Sequence, residues 1–324
     1  MRILDAHHHV WDLGVRDQDW ITGPALAPLR RNFLLDDYQH LADGYGVTAS
    51  IVVQTVTVPA ETPELLALAA ASDLIAGVVG WSDLTAPDIA DRIAALTEMP
   101  GGGKLVGLRH QVQNEPDPDW LTRPQVLRGL AAVAQAGLVY DLFITAGQLG
   151  QATRAAAAVP DLRFVLDHLG KPPIASGRTG TWAADLRGLA ARPNTSAKLS
   201  GLVTEADWHH WKVADLRPYA EIALDAFGPA RIMFGSDWPV STLAATYFDV
   251  LAAARDLTGE LSPAEREAVF SGTAISVYGL LRSQPRRPHR ARSHAPSRGF
   301  PARRGRGGYA VTRPRPVRRR SPGQ

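Results

Sequence analysis

Three histidines in a row, His7, His8 and His9, stand near the start of a chain that has only ten. On an extended strand successive side chains point to opposite faces, so His7 and His9 share one face and His8 takes the other. A His-x-His pair at a strand end puts two imidazoles at metal-chelating separation, or sets two hydrogen-bonding groups against one reacting oxygen. Other chemically capable residues follow at intervals. "VLDHLGKPP" places His168 ahead of a forced turn, and "GLRHQVQNEPDPDW" carries Arg109 and His110. "AKLSGL" sets Lys198 inside an apolar stretch, where it needs an acidic partner or a substrate. "MFGSDWPV" carries Asp237. An aspartate after a strand is often a helix cap, but Trp238-Pro239 follow at once and argue for a rigid wall. Trp11, Trp81 and Trp208 are candidates to wall a pocket.

These residues need a scaffold that brings them together. Apolar runs bounded by Gly, Pro or Asp read as buried parallel strands at 3–9, 49–56, 75–84, 104–112, 138–144, 162–169, 194–202 and 231–238. Ala- and Leu-rich stretches with helical spacing lie between them, clearest at 61–72, 124–137 and 215–227. Gly137 and Gly228 stand where helices should stop. Eight strands alternating with helices over about 280 residues favour a (β/α)8 barrel, a distorted TIM barrel, over a doubly wound sheet. No G-x-G-x-x-G follows the first strand, and "PGGGK" at 100–104 precedes a strand, so it reads as a loop rather than a phosphate cradle. In such a barrel the functional groups gather where strands end, and His7, His9, Arg109, His168, Lys198 and Asp237 all fall there.

Composition narrows the chemistry. The 324 residues contain no cysteine, which excludes disulfides and thiolate metal sites. No apolar run approaches a membrane span, and the start of the chain lacks the apolar stretch of a signal peptide, so a cytoplasmic protein is expected. From Ser283 to Gln324 there are 13 Arg and no acidic residue; without them the net charge of +3 becomes −10 for residues 1–282. The chain therefore divides into an acidic body, 1–282, read as a single domain, and a basic Arg/Pro-rich tail, 283–324, expected to be disordered or an artefact of translation. A nucleic-acid binder acting through the tail is the non-enzymatic alternative; the acidic body argues against it. A homo-oligomer stays open.

The segments "DAHHHVWD", "VVGWSDL", "VGLRHQVQNEPDPDWL", "VLDHLGKPPI", "KLSGLVTEA" and "FGSDWPV", taken in order, resemble the amidohydrolase superfamily. Within it they are similar to the sugar-lactonase-like branch, which includes L-fuconolactone, L-rhamnonolactone and 2-pyrone-4,6-dicarboxylate hydrolases. The resemblance implies a hydrolase opening a sugar lactone to its hydroxy acid. It implies Asp237, His168, His7 and His9 as catalytic residues, and Arg109, His110, Lys198, Trp11 and Trp81 at the substrate. Strand five has no histidine, which speaks against a two-metal centre. Two states stay open: one divalent ion, zinc, on His7, His9 and Asp237, or no metal, with His7, His9 and His168 polarising the carbonyl. Other amidohydrolase-type hydrolysis and metal-dependent decarboxylation are the enzymatic alternatives. Asp17, Trp20 and the loop 113–120 are candidates to set stereochemistry.

Overall fold

The computed structural model describes residues 2–280. The arginine-rich segment, and with it the domain boundary expected at 282, lies outside those residues. Eight parallel strands run in sequence order: β1 Ile3–His8, β2 Val47–Val53, β3 Ile75–Gly80, β4 Leu105–His110, β5 Val139–Leu142, β6 Arg163–Leu166, β7 Thr195–Leu199 and β8 Ile232–Phe234. Each pairs in parallel with the next. The last gap is drawn together by backbone bonds from Asp237 N to His7 O (2.8 Å) and from His9 N to Trp238 O (2.7 Å). This is the expected TIM barrel, with helices such as Glu61–Ala70, Pro124–Gln135 and Val213–Phe227 between the strands. Among the described residues no helix is long and apolar enough to cross a membrane.

The strands are buried on both faces, so they carry near-continuous apolar runs. Their outer faces pack with the helices in one large core. Leu4, Ala6, Val139, Val165 and Met233 form a smaller inner cluster, which Tyr278 joins from the C-terminal segment.

The strands are shorter than their apolar runs suggest. β8 ends at Phe234, so Asp237 sits three residues past it, with φ 56°. His168 lies beyond β6, at the start of four successive residues with positive φ: His168 (52°), Leu169 (51°), Gly170 (70°) and Lys171 (53°). Three of these four carry side chains, so the turn is strained. The indole of Trp182 holds it by donating to Leu169 O at 2.8 Å.

Simple alternation fails on β1. The pairing of β1 with β2 slips between Asp5 and His8. Leu4 and Ala6 belong to the inner cluster, yet His7 and His9 also turn toward Asp237, while His8 stacks on Tyr38 outside the barrel (ring centroids 3.7 Å apart). One extra residue in the strand, a β-bulge, re-aims the side chains that follow it.

Candidate active site

Four side chains meet at the end of the barrel. Asp237 Oδ1 lies 3.6 Å from His9 Nε2, 3.8 Å from His7 Nε2 and 3.8 Å from His168 Nε2. His7 Nε2 and His9 Nε2 are 3.2 Å apart. All four residues are buried. β8 can approach β1 this closely because residue 235 is glycine: a Cβ there would stand 2.7 Å from His7 Cβ.

Each ring is oriented by its other nitrogen. His9 Nδ1 faces Val53 O at 2.7 Å and His168 Nδ1 faces Ser200 Oγ at 2.9 Å. His7 Nδ1 has two neighbours, Asp167 Oδ1 at 3.2 Å and Lys198 Nζ at 3.1 Å. Burial holds His7 well below the usual imidazole range despite Asp167, and brings His168 down to about 4 despite Asp237. Both rings are therefore neutral near pH 7. Burial alone would raise the Asp237 carboxyl, but His168 and His9 outweigh it and the group stays below its ordinary value, a carboxylate.

Whether this group suits a metal ion follows from its edges. Four donors at zinc–nitrogen distances of about 2.0–2.1 Å form a tetrahedron with six edges of about 3.3 Å; the His7–His9 spacing and the three spacings to Asp237 run from 3.2 to 3.8 Å. His7, His168 and Asp237 bring ligand atoms within 4.8 Å of one another; His9 stands outside that set but lies 3.2 Å from His7 and 3.6 Å from Asp237. The residues fit one ion, with oriented outer partners behind each histidine.

Below His7 lies a buried charge network. Lys198 Nζ donates to Asp141 Oδ2 (2.5 Å) and contacts Asp167 Oδ1 (3.0 Å). Arg109 Nη1 donates to Asp167 Oδ2 (3.0 Å), and its Nη2 bonds the Gln54 backbone oxygen and Gln54 Oε1. Tyr278 OH donates to Asp141 at 2.8 Å. Burial would raise Asp167, but Lys198, His7 and Arg109 pull it well below its ordinary value; Asp141 rises to about 6 because burial outweighs Lys198.

The cavity above measures about 360 Å³. His9, Arg109, His168 and Asp237 form its floor, and Trp20, Gln111, Phe143, Lys171, Glu205 and Trp208 belong to its wall. The structure thus gathers His7, His9, His168, Asp237 and Arg109 from the expected set, and places the other four elsewhere. Lys198 is wholly buried beneath the floor, because it is held by two carboxylates rather than by a ligand. His110 faces sideways, stacked on Trp120 (4.3 Å), with Glu115 at 2.7 Å and the Trp81 indole donating to it at 2.9 Å. That bond spends the polar edge of Trp81. Trp11 is packed in the core and donates to Arg31 O. Of the stereochemistry candidates, Trp20, Gln113 and Asn114 line the cavity, while Asp17 pairs with Arg30 at the surface.

Sequence reasoning passed over Asp141, Asp167, Phe143, Lys171, Glu205 and Tyr278. Asp141 interrupts an otherwise apolar strand and Asp167 precedes His168. A charge inside a buried strand was the available signal, applied to Lys198 but not to its partners.

The family model described as Amidohydrolase matches residues 4–280. The chain is 42% identical over 288 residues to an L-fucono-1,5-lactonase of Burkholderia multivorans, covering 86% of this chain and 96% of the relative. It is 37% identical over 283 residues to an L-fucono-1,5-lactonase of Burkholderia ambifaria, with the same coverage. Among solved structures, an amidohydrolase from Burkholderia multivorans with bound Zn is 40% identical and superposes with a TM-score of 0.81, over 87% of this chain and 100% of that one.

Proposed function

This chain belongs to the amidohydrolase family and is a hydrolase, and from that premise we propose that it opens a sugar 1,5-lactone of the L-fuconolactone type to its hydroxy acid. The observation that carries the reading is a buried carboxylate, Asp237, within 3.8 Å of three imidazoles, two of which, His9 and His168, share with it the floor of a cavity with polar and indole walls. A carboxylate and neutral rings suit proton transfer to and from an ester. Gln111, Lys171 and Glu205 suit ring hydroxyls, and Trp20 and Trp208 suit the apolar face of a sugar.

Asp237 takes a proton from water as the water oxygen bonds to the lactone carbonyl carbon. The histidine ring nitrogens facing the cavity, with Arg109 behind them, stabilise the negative charge that develops on the carbonyl oxygen. Asp237 then returns the proton to the ring oxygen as the ring C–O bond breaks. The product acid ionises near neutral pH, so each turnover releases one proton. Zinc is the proposed ion for His7, His9, His168 and Asp237, since a nitrogen-rich tetrahedral set suits it and a relative's structure holds it. Bound there it would supply Lewis acidity and a more acidic water.

The test is a pH-indicator screen of aldono-1,5- and 1,4-lactones, with and without chelator, beside metal analysis of the purified protein. Proton release well above spontaneous hydrolysis on a 6-deoxy-L-sugar lactone supports the proposal. Background rates across the whole panel, with metal added, would overturn it.

A further inference from the structure

Among the described residues, four charged side chains line the cavity, two of each sign: Arg109 and Lys171, Asp237 and Glu205. Neither cation is open to a ligand's carboxylate. Arg109 is buried, and its terminal nitrogens have partners of their own. Nη1 donates to Asp167 Oδ2 at 3.0 Å, and Nη2 bonds the Gln54 backbone oxygen and Gln54 Oε1. Lys171 is the more accessible cation, with a quarter of its side chain exposed, but its Nζ stands 3.8 Å from Glu205 Oε1.

The fold brings this lysine to the wall by an unusual route. Lys171 closes the run of positive φ that begins at His168, and its backbone N–H donates to His168 O at 2.9 Å. Its ammonium lies 4.8 Å from the centre of the Phe143 ring, which also stands 4.6 Å from the Arg109 guanidinium. A separate short turn, Val203–Glu205, then sets a carboxylate against the charge. That carboxylate has a neighbour of its own sign. Burial pushes Glu205 up, Lys171 draws it down and Asp237 pushes it up again.

We propose that the Lys171–Glu205 pair is a charge filter. Glu205 repels lactones that bear a carboxylate, and it masks the cation that would otherwise receive one. The protein then takes uncharged polyol lactones, and Lys171 without its partner is a carboxylate receptor. The inference rests on the lactonase reading and adds which ring substituents are refused. The same repulsion acts on the product. Ring opening creates a carboxylate on the floor beside Asp237, where neither lining cation is free to retain it.

The test compares two lactones with the same ring: the neutral aldonolactone that the screen ranks first, and the aldarolactone that carries a carboxylate in place of its terminal carbon. Wild type should prefer the neutral one by about 100-fold in kcat/KM, the scale of a like-charge contact. Glu205→Gln should raise kcat/KM for the aldarolactone at least about 10-fold, the scale of one hydrogen bond to a charged group, mainly through KM. Adding Lys171→Gln should abolish that gain. Metal content is matched and folding is checked by thermal melts. Three results overturn the proposal: a wild type indifferent to the carboxylate, a folded Glu205→Gln without the gain, or a gain that survives the loss of Lys171.

A second measurement needs neither a variant nor turnover. Trp20 and Trp208 line the cavity, so quenching of indole fluorescence in the metal-free wild type reads binding of a neutral alditol and of the aldarate with the same carbon skeleton. The alditol should bind more tightly; tighter aldarate binding overturns the filter. If neither lactone is opened but the alditol is still preferred, the lactonase reading fails and the filter stands.

Discussion

Asp237→Asn isolates the proposed base with little change of shape. Asparagine fills the same volume, and the backbone bond from residue 237 to His7 O does not involve the side chain. What disappears is a carboxylate within 3.8 Å of three imidazole nitrogens. No neighbouring carboxylate can stand in: Asp167 is engaged by Arg109, Lys198 and His7, and Glu205 faces Lys171 at 3.8 Å. The loss should therefore reach the upper part of the range for a general base, about 10³-fold in kcat, or about 4 kcal/mol at 1.36 kcal/mol per decade. KM should move by less than about threefold, because the ground-state ester makes no bond that needs the charge. Stability should hold or fall slightly, since the carboxyl sits below its ordinary value and its charge is therefore held favourably in the fold. The assay is proton release from the best lactone of the screen, corrected for spontaneous opening, with thermal melts and metal content measured on both proteins. A folded variant within about 10-fold of wild type refutes the role. Activity that returns on adding zinc would refute it too, reassigning Asp237 as a ligand alone.

Three further outcomes follow from the same geometry. A Cβ on residue 235 would meet His7 Cβ at 2.7 Å and His7 N at 3.2 Å, so Gly235→Ala should destabilise by about 1–3 kcal/mol and cut kcat, as denaturant titration and turnover will read; an unaffected kcat shows that the close approach is incidental. Glu205→Gln removes a carboxylate from the cavity wall while leaving the floor intact. It should raise KM for a polyhydroxylated lactone several-fold but not for an unsubstituted one, with stability within about 1 kcal/mol; equal effects on both substrates would refute a hydroxyl-reading role. Finally, His168 at about 4 and His7 well below 6.5 are neutral in the fold, so the unfolded chain binds more protons as pH falls below 6.5. Stability of the chelated protein should drop from pH 6.5 toward 4, by about 1.4 kcal/mol per pH unit for each histidine. Asp141, raised to about 6, works the opposite way below that pH. Stability that is flat or rising over this window would contradict neutral buried rings.

The barrel was legible because its strands are apolar on both faces and its helices are not. That contrast survives in composition and period, and it placed all eight strands in order. His9, Arg109, His168 and Asp237 were legible for a related reason: in a parallel barrel, a polar residue at the end of an apolar run has the mouth as its destination. His110 shows where that rule stops. It ends β4 as surely as Arg109, yet Trp120 and Glu115, from the loop that follows, draw it aside. Loop residues make such contacts without any period to announce them.

A second limit concerns what lies under the mouth. Alternation assigns His7 and His9 to one face, and they do share one, but the same rule would send Leu4 and Ala6 to the other. The bulge before His8 overrides it, and a bulge is set by how β8 and β2 grip β1, not by the residues of β1 alone. Lys198 is the sharper case. Its sequence environment says correctly that the charge needs a partner. Only the register of four other elements says which: Asp141 from β5, Asp167 after β6, His7 from β1, and Tyr278 reaching Asp141 from the chain's last described turn. Tyr278 lies 137 residues beyond the carboxylate it holds, so no spacing rule connects the two. A sequence can thus name the groups that meet a substrate. Which buried charges hold those groups in place is decided one layer deeper, where His7 Nδ1 meets both Asp167 and Lys198.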